Sequence, residues 1–579
     1  MRIAVPLLLL LTTAGVAQSP PAWVARSNQN TQLLIDLDFK YSPESASEEG
    51  VVKFDPQIST VSASQPARER ADLRSVKTEF ERRLNKEQDP LVRQDLEILI
   101  AAVDRRIRQS EAGEKTFNQY FDVANAVYGG LKPLLDEQTA PARHPAALVR
   151  LKKYTGMTPG FTPLFEQAET RWRERGKTAG LLGPSKLSVE KSLENTNAYV
   201  DGIGLLLEKY KVQGYEPALA KLRAQVASYS DFVRKEVLPR ARTDFRLPPA
   251  IYAISLEGYG VDYTPAELER MAHRSFTEIQ AQMADIAAKV AKERGFPRSD
   301  YRSVIRELKK DQFKGDEILP QYKMRLAEIE DIVRKNNLVT LPARPAIIKL
   351  ASAAETAQQP APHMQPPPLL NNHGERGAFV LPLGTTGEGG AALQYDDFDF
   401  AAASWTLIAH EARPGHELQF DAMVEQGVSL ARANYAFNST NVEGWGLYSE
   451  WFMLPYMPDD GQLISLQFRM LRAARAFLDP ELQEGKVTSE QAMQVLQDDV
   501  MLSKAFATEE VERFTFRSPG QAVSYYDGMT RLLEIRAAAE KALGPKFDVK
   551  KFHDFILSQG LLPPALLRKA VMDDFVPRQ

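Results

Sequence analysis

No cysteine occurs among the 579 residues. That absence excludes a disulfide framework, a thiol nucleophile, thiolate metal sites and a lipid-modified N-terminal cysteine. Any metal must therefore sit on histidine, aspartate or glutamate. Histidine is scarce as well, with 7 in the chain, so two of them close together carry weight. Charge of one sign is also lacking: 72 basic residues face 76 acidic ones, for a formal net charge of -4. So small a balance points to neither nucleic acid nor an anionic membrane surface. No segment is apolar over the roughly 20 residues that a membrane-spanning helix needs, so no anchor is expected in the mature chain.

The first residues differ from the rest. Met1-Arg2 supplies positive charge, Ile3 to Leu11 is a short apolar run with five consecutive leucines, and small residues precede and include Ala17. This is the pattern of a secretory leader, residues 1–17, cleaved near Ala17, and it predicts an exported protein, periplasmic or secreted.

What the chain does have is helical periodicity. Thr264-Pro265-Ala266-Glu267 is a capping box with proline at the first helical position. Leu268, Ala272, Phe276, Ile279, Met283, Ile286 and Val290 then recur at three- and four-residue spacings until Gly295 and Pro297. Similar patterns fill 67–110, 115–135, 188–238, 315–337, 460–478, 488–515 and 520–543. The expected fold is mainly α, either two lobes around a central cleft or one large helical unit. Residues 18–354 form an N-terminal helical region, 355–376 a proline-rich loop, and 377–579 a C-terminal helical region. Extended candidates at Gly377 to Leu383 and Ala391 to Phe400, joined by the glycine-rich Gly384 to Gly390, suggest a small β element near 377–400. A second extended segment is expected at Ile251 to Tyr259.

The chemistry concentrates in His410-Glu411-Ala412-Arg413-Pro414-Gly415-His416. A two-histidine zinc motif on a helix places its ligands four residues apart, on one face. Here the second imidazole is six residues on, which in an unbroken helix leaves it ~120° away and ~9 Å further along. Pro414 and Gly415 change that expectation. Proline clashes with the carbonyl four residues earlier, that of His410, and disfavours helical angles at Arg413, while glycine permits angles other residues avoid. A break there lets His416 return beside His410. The third ligand should be a carboxylate, and Glu443 in Asn441-Val442-Glu443-Gly444-Trp445-Gly446 is the candidate, at the start of a helix. Its rival role is in the capping box Thr440-Asn441-Val442-Glu443. Glu411, next to His410, is placed to act as general base toward a water molecule on Zn2+. His144, His273 and His553 read as ordinary polar or buried residues; His363 and His373 lie in the proline-rich loop.

His410 to Gln419, Glu443-Gly-Trp-Gly-Leu-Tyr-Ser-Glu450 and Pro519-Gly-Gln-Ala-Val-Ser-Tyr525 together resemble the domain-of-unknown-function 885 family, over nearly all of the chain after the leader. Such proteins are similar to helical zinc peptidases of the gluzincin group, such as angiotensin-converting enzyme and thimet oligopeptidase. The resemblance implies a metallopeptidase-like fold, with His410, His416 and Glu443 as zinc ligands and Glu411 as base. It also implies Tyr525, with Tyr526 as rival, as the phenol that hydrogen-bonds a developing oxyanion. Glu450, seven residues after Glu443 on the same helical face, can orient a ligand histidine. The chain departs from the family where an Asp-Thr-Gly-x-His run is expected, since it carries Asp479-Pro480-Glu481-Leu482-Gln483.

The expected activity is zinc-assisted hydrolysis of short peptides. Cleavage of another amide, such as an N-acyl amino acid, and a non-catalytic binding protein on the same scaffold remain as alternatives. A homodimer stays open.

Overall fold

The computed structural model describes residues 21–386 and 392–579. The leader read at 1–17, residues 387–390 of the glycine-rich link and Ala391, the start of the second extended candidate, lie outside the described residues. Helix dominates, as the periodicity predicts. The 67–110 pattern resolves into α2 (Gln65–Leu84) and α3 (Pro90–Thr116), separated where Asp89 accepts hydrogen bonds from the Leu91 and Val92 amides and caps the second helix. These two pack with α1 (Ala22–Tyr41) around Leu34, Leu73, Phe80, Leu96 and Leu99.

A second apolar cluster joins α4 (Val123–Leu131), α5 (Lys186–Lys209) and α6 (Glu216–Phe232). The segment expected to be extended at Ile251 to Tyr259 is instead helix α7 (Pro249–Tyr259). Its β-branched and aromatic residues mimic a strand, but Tyr252 and Leu256, four apart, are the buried pair. Pro249 starts the helix and Gly260, at φ +84°, ends it. Then α8 (Pro265–Arg294) has the expected capping box, and Gly295 at φ +69° terminates it.

The largest core takes residues from α8 and α9 (Ile318–Lys335), and from nearly every element after them. A three-stranded sheet lies against it. Its centre is β3 (Ala378–Leu381), paired parallel with β1 (Ile347–Leu350) and antiparallel with β2 (His363–Gln365). A separate antiparallel pair joins β4 (Gly384–Thr386) to β5 (Ala392–Gln394). The β element near 377–400 is therefore present, but β1 and β2 come from earlier segments.

The helices of the C-terminal layer that shape the centre are α10 (Ala401–Glu411), α11 (His416–Gln426), α12 (Ser439–Met453), α13 (Asp459–Glu484), α14 (Lys504–Glu512) and α15 (Val523–Leu543). The long helices α8 and α13 pack along one another, as do α12 and α15. Glycines permit the second crossing. A Cβ on Gly528 would lie 1.9 Å from the Thr440 carbonyl oxygen, and one on Gly444 would lie 2.6 Å from the Gly528 carbonyl carbon. Backbones that close tolerate no methyl group, so Gly528→Ala should cost at least about 1–3 kcal/mol by forcing α12 and α15 apart. The check is the midpoint of chemical denaturation; a parental midpoint would contradict the crossing.

Candidate metal centre

The centre forms where α10 breaks. Its last helical hydrogen bond runs from the Ala412 amide to Ile408, and α11 restarts at His416. The Glu417 amide bonds back across the break to the Ala412 carbonyl at 3.1 Å. The Arg413–Pro414 peptide bond is cis. Gly415 cannot be replaced without movement, since a Cβ there would stand 1.9 Å from the His410 carbonyl oxygen. The break is held from both sides. The Trp445 indole donates to the carbonyls of Pro414 (3.0 Å) and Gly415 (3.2 Å); the latter also accepts the Gln419 amide at 3.1 Å, so the Pro414 carbonyl is the acceptor outside both helices that Trp445 and Ser449 satisfy. Arg413, itself buried, donates to Glu417 at 2.6 Å and to Glu330 at 2.8 Å.

The two imidazoles end 4.6 Å apart, centroid to centroid, with their planes at 80°. Glu443 Oε2 lies 3.4 Å from His410 Nε2 and 3.3 Å from His416 Nε2. The helix carrying it starts earlier than the sequence suggests. Asn438 is the cap and accepts from the Asn441 amide, so the capping-box role considered for Glu443 is not adopted and its carboxylate points at the histidines. Glu411 Oε1 lies 3.9 Å from His410 Nε2. His410, His416 and Glu411 together offer ligand atoms within 4.8 Å of one another. Of the two carboxylates, Glu443 is the nearer to both rings, and Glu411 stands to one side.

Three further facts bear on whether a metal fits. Glu443 Oε2 and Glu411 Oε2 are buried side-chain atoms without a hydrogen-bond partner, and each is costly to leave so. Ligands about 2.0–2.2 Å from one tetrahedral zinc are separated by about 3.3–3.6 Å, and the two Glu443–imidazole distances match that edge. Gly446 leaves the space the rings occupy: a Cβ there would fall 2.6 Å from His410 Cε1 and 2.8 Å from His416 Cε1. The residues present fit a divalent cation.

Around this set lies a buried relay. His410 Nδ1 donates to Glu450 Oε1 at 2.7 Å, which turns the Nε2 lone pair toward a cation, and Thr406 Oγ1 donates to Glu450 Oε2 at 2.5 Å. With the protein's groups alone, burial pulls the His410 imidazole down, but Glu443, Glu450 and Glu411 outweigh it and hold it at about 9. Glu443 is held well below the usual carboxylate range, because the two histidines outweigh its burial. Glu411 is pushed up by burial, against the pull of His410 and His416.

Tyr525 lines the same cavity as His410 and Glu411. Its ring lies nearly parallel to that of His410, 6.2 Å away, and burial pushes its phenol up to about 12. It is therefore a neutral donor. Tyr526 is turned aside, with its hydroxyl paired to Ser275 at 2.8 Å. His273 stacks on Phe477 and His553 is buried between Tyr448 and the Leu338 carbonyl. His144 bonds the Thr139 carbonyl. His363 belongs to β2 and bonds the Ala361 carbonyl, while His373 stays in the loop. In the segment that departs from the family run, Asp479 accepts from Tyr252 and the Gly520 amide, and Gln483 donates to the Phe514 carbonyl. That stretch thus anchors the Pro519-Gly520 turn ahead of Tyr525.

Sequence reasoning missed Gly446, Trp445 and a group of arginines, Arg469, Arg472 and Arg475 on α13 and Arg513 after α14. The spacing of the first three, every third residue within a run of apolar ones, is the signal that marks a charged stripe inside a core helix.

Bacterial protein of unknown function (DUF885) is the family whose model matches this chain, over residues 43–571. No curated protein matches it in sequence. Among solved structures, a "putative lipoprotein" from Colwellia psychrerythraea is similar with a TM-score of 0.74 and 18% identity, covering 97% of this chain and 100% of that one. A "putative lipoprotein of unknown function" from Shewanella oneidensis is similar with a TM-score of 0.68 and 19% identity, over 95% of this chain and 99% of that one. At these identities the likeness is one of fold.

Two substitutions test the centre. Gly446→Ala should displace both imidazoles and weaken zinc binding at least about tenfold, with the helical circular dichroism unchanged. Glu450→Gln should weaken zinc about 10–100-fold, read by competition with a chelator. Parental zinc affinity in both variants would separate these residues from any metal.

Proposed function

This chain belongs to the family described as bacterial protein of unknown function (DUF885), and from that premise we propose that its centre is that of an exported zinc-dependent hydrolase acting on short peptides. The observation that carries the proposal is the convergence of Glu443 Oε2 on the Nε2 atoms of His410 and His416, at 3.4 and 3.3 Å, with a second buried carboxylate beside them. His410, His416 and Glu443 would hold the metal, the two-histidine and one-carboxylate set of gluzincin peptidases. Zinc held there supplies Lewis acidity and brings the pKa of water to about 7.

The chain's own groups account for the rest. Glu411 Oε2 has no partner and is the base that takes the proton from attacking water and passes it to the leaving nitrogen. Glu450 fixes the tautomer of His410. Tyr525, neutral and beside His410, donates to the oxygen that gains charge as the carbonyl is attacked. A binding protein with a closed metal site has no need of a buried base such as Glu411.

Export rests on the apolar leader and agrees with the descriptions of the two similar structures as lipoproteins. With no cysteine, this chain cannot carry the thioether-linked lipid of such proteins. No helix of the described residues is long and apolar enough to cross a membrane.

Purified protein should carry one equivalent of zinc by elemental analysis. His410→Ala should lose it. Glu411→Gln should keep it while hydrolysis of a mixed peptide library falls about 10²–10⁴-fold. Turnover by Glu411→Gln at the parental rate would rule this mechanism out. Tyr525→Phe should lower kcat about 10²–10³-fold with KM little changed, the signature of a contact made in the transition state.

A further inference from the structure

The cavity at the centre is small, about 30 Å³, and its walls include Leu407, Phe468 and Phe506 together with three arginines, Arg472, Arg475 and Arg513. All three are buried, at 5%, 3% and 6% exposure. A buried guanidinium is normally satisfied on every edge, because an unpaired buried N–H costs free energy that the fold must supply elsewhere. Arg475 meets that requirement, since Glu510 accepts from its Nε at 2.6 Å and its Nη2 at 2.5 Å. The other two do not. Arg472 reaches Glu450 at 3.4 Å and the Phe468 carbonyl at 3.2 Å, but its Nε has no acceptor. Arg513 donates to Glu509, Gln521 and the Tyr525 hydroxyl, and its Nε also has none.

The charge balance leaves a surplus at Arg472, whereas Glu509 and Glu510 more than offset the burial of Arg513. Glu450 serves Thr406 and His410 before it serves Arg472. Arg469, one turn before Arg472, has a buried Nη2 without a partner. Burial draws both Arg469 and Arg472 downward, with Glu450 compensating only in part.

We propose that Arg472 and Arg513 form a cradle for a substrate carboxylate next to the scissile amide. The proposal rests on the hydrolase function above and narrows its substrates. A planar fork of N–H donors matches a carboxylate in shape and charge. The C-terminal residue of a peptide and an N-acyl amino acid both place a carboxylate one carbon from an amide nitrogen, so the two candidate substrate classes converge on one recognition element. An acidic side chain of the terminal residue is the other source of the same group.

Three acetylated tripeptides separate these sources in the zinc-loaded protein: one with a free C-terminal acid, the same peptide amidated, and an amidated peptide ending in glutamate. The free acid should be cleaved with release of one amino acid, seen by mass spectrometry, and the neutral amide should have kcat/KM at least about 100-fold lower. Cleavage of the glutamyl amide instead would keep the cradle and assign it to a side chain. Equal cleavage of all three would overturn the cradle while leaving the hydrolase in place.

Binding of the same peptides to Glu411→Gln protein, followed by calorimetry, reads the preference without turnover. If nothing is hydrolysed by the parent but acids still bind at least about tenfold tighter than the amide, the cradle stands and the hydrolase function falls. Equal binding overturns the cradle. Arg472→Gln should bring the acid-to-amide ratio toward one, and a ratio unchanged in that variant removes Arg472 from the cradle.

Discussion

The centre depends on one constraint: a helix must stop at Glu411 and restart at His416 without leaving its freed carbonyls unpaired. Pro414 and Gly415 stop it, for steric reasons internal to the segment. What holds the stop in place is an indole from another helix: Trp445 donates to the carbonyls of both residues, that of Pro414, which lies outside both helices, and that of Gly415, which also accepts the Gln419 amide. That contact pins α12 against the break, and in doing so sets Glu443, two residues before the tryptophan, and Gly446, one residue after it, over the two imidazoles. Acceptor satisfaction and ligand placement are thus one event. The Glu443-Gly444-Trp445-Gly446 run reads as four tasks: a carboxylate for the histidines, a crossing with α15, a clamp on the break, and a space for two rings.

The outline of this centre was legible in sequence because its residues carry their chemistry in their types. Histidine pairs with adjacent glutamate are rare in a chain with so few histidines, and a proline–glycine pair announces a break wherever it sits. The helical elements were legible through periodicity, as in α8, whose cap and terminus fall where Thr264 and Gly295 indicate. Three things were not. At 251–259, β-branched residues suggested a strand, while the deciding feature, burial of Tyr252 with Leu256, is tertiary. Thr440 to Glu443 satisfied a capping pattern, but Asn438 was better placed to accept, and only geometry decides between rival caps. The role of Gly446 was invisible because a glycine's use lies in what approaches it, and the histidines that approach come from helices thirty residues away.

Charge is handled differently on the two sides of the centre. On the carboxylate side, Glu443 and Glu411 have buried oxygens that no protein donor satisfies, an arrangement a cation neutralises. On the guanidinium side, Arg472 and Arg513 have buried nitrogens that no protein acceptor satisfies, an arrangement an anion neutralises. Of these groups, Glu411, Arg472 and Arg513 line one small cavity, so opposite deficits face each other where both kinds of group are desolvated and strongly interacting. The fold alone gains nothing from either, since apolar residues of similar volume would fill the same space at less cost.

The anchoring of Gly520 by Asp479 ties the two halves of the centre to one rod. Arg469, Arg472 and Arg475 project from α13, and Asp479, a turn beyond them, holds the backbone turn from which Tyr525 follows. Sliding that rod by one turn, about 5.4 Å, would displace guanidiniums and phenol together. The groups facing the cavity from this side therefore cannot be tuned one at a time through backbone shifts, and diversification within such a scaffold is confined to exchanging side chains on a fixed axis.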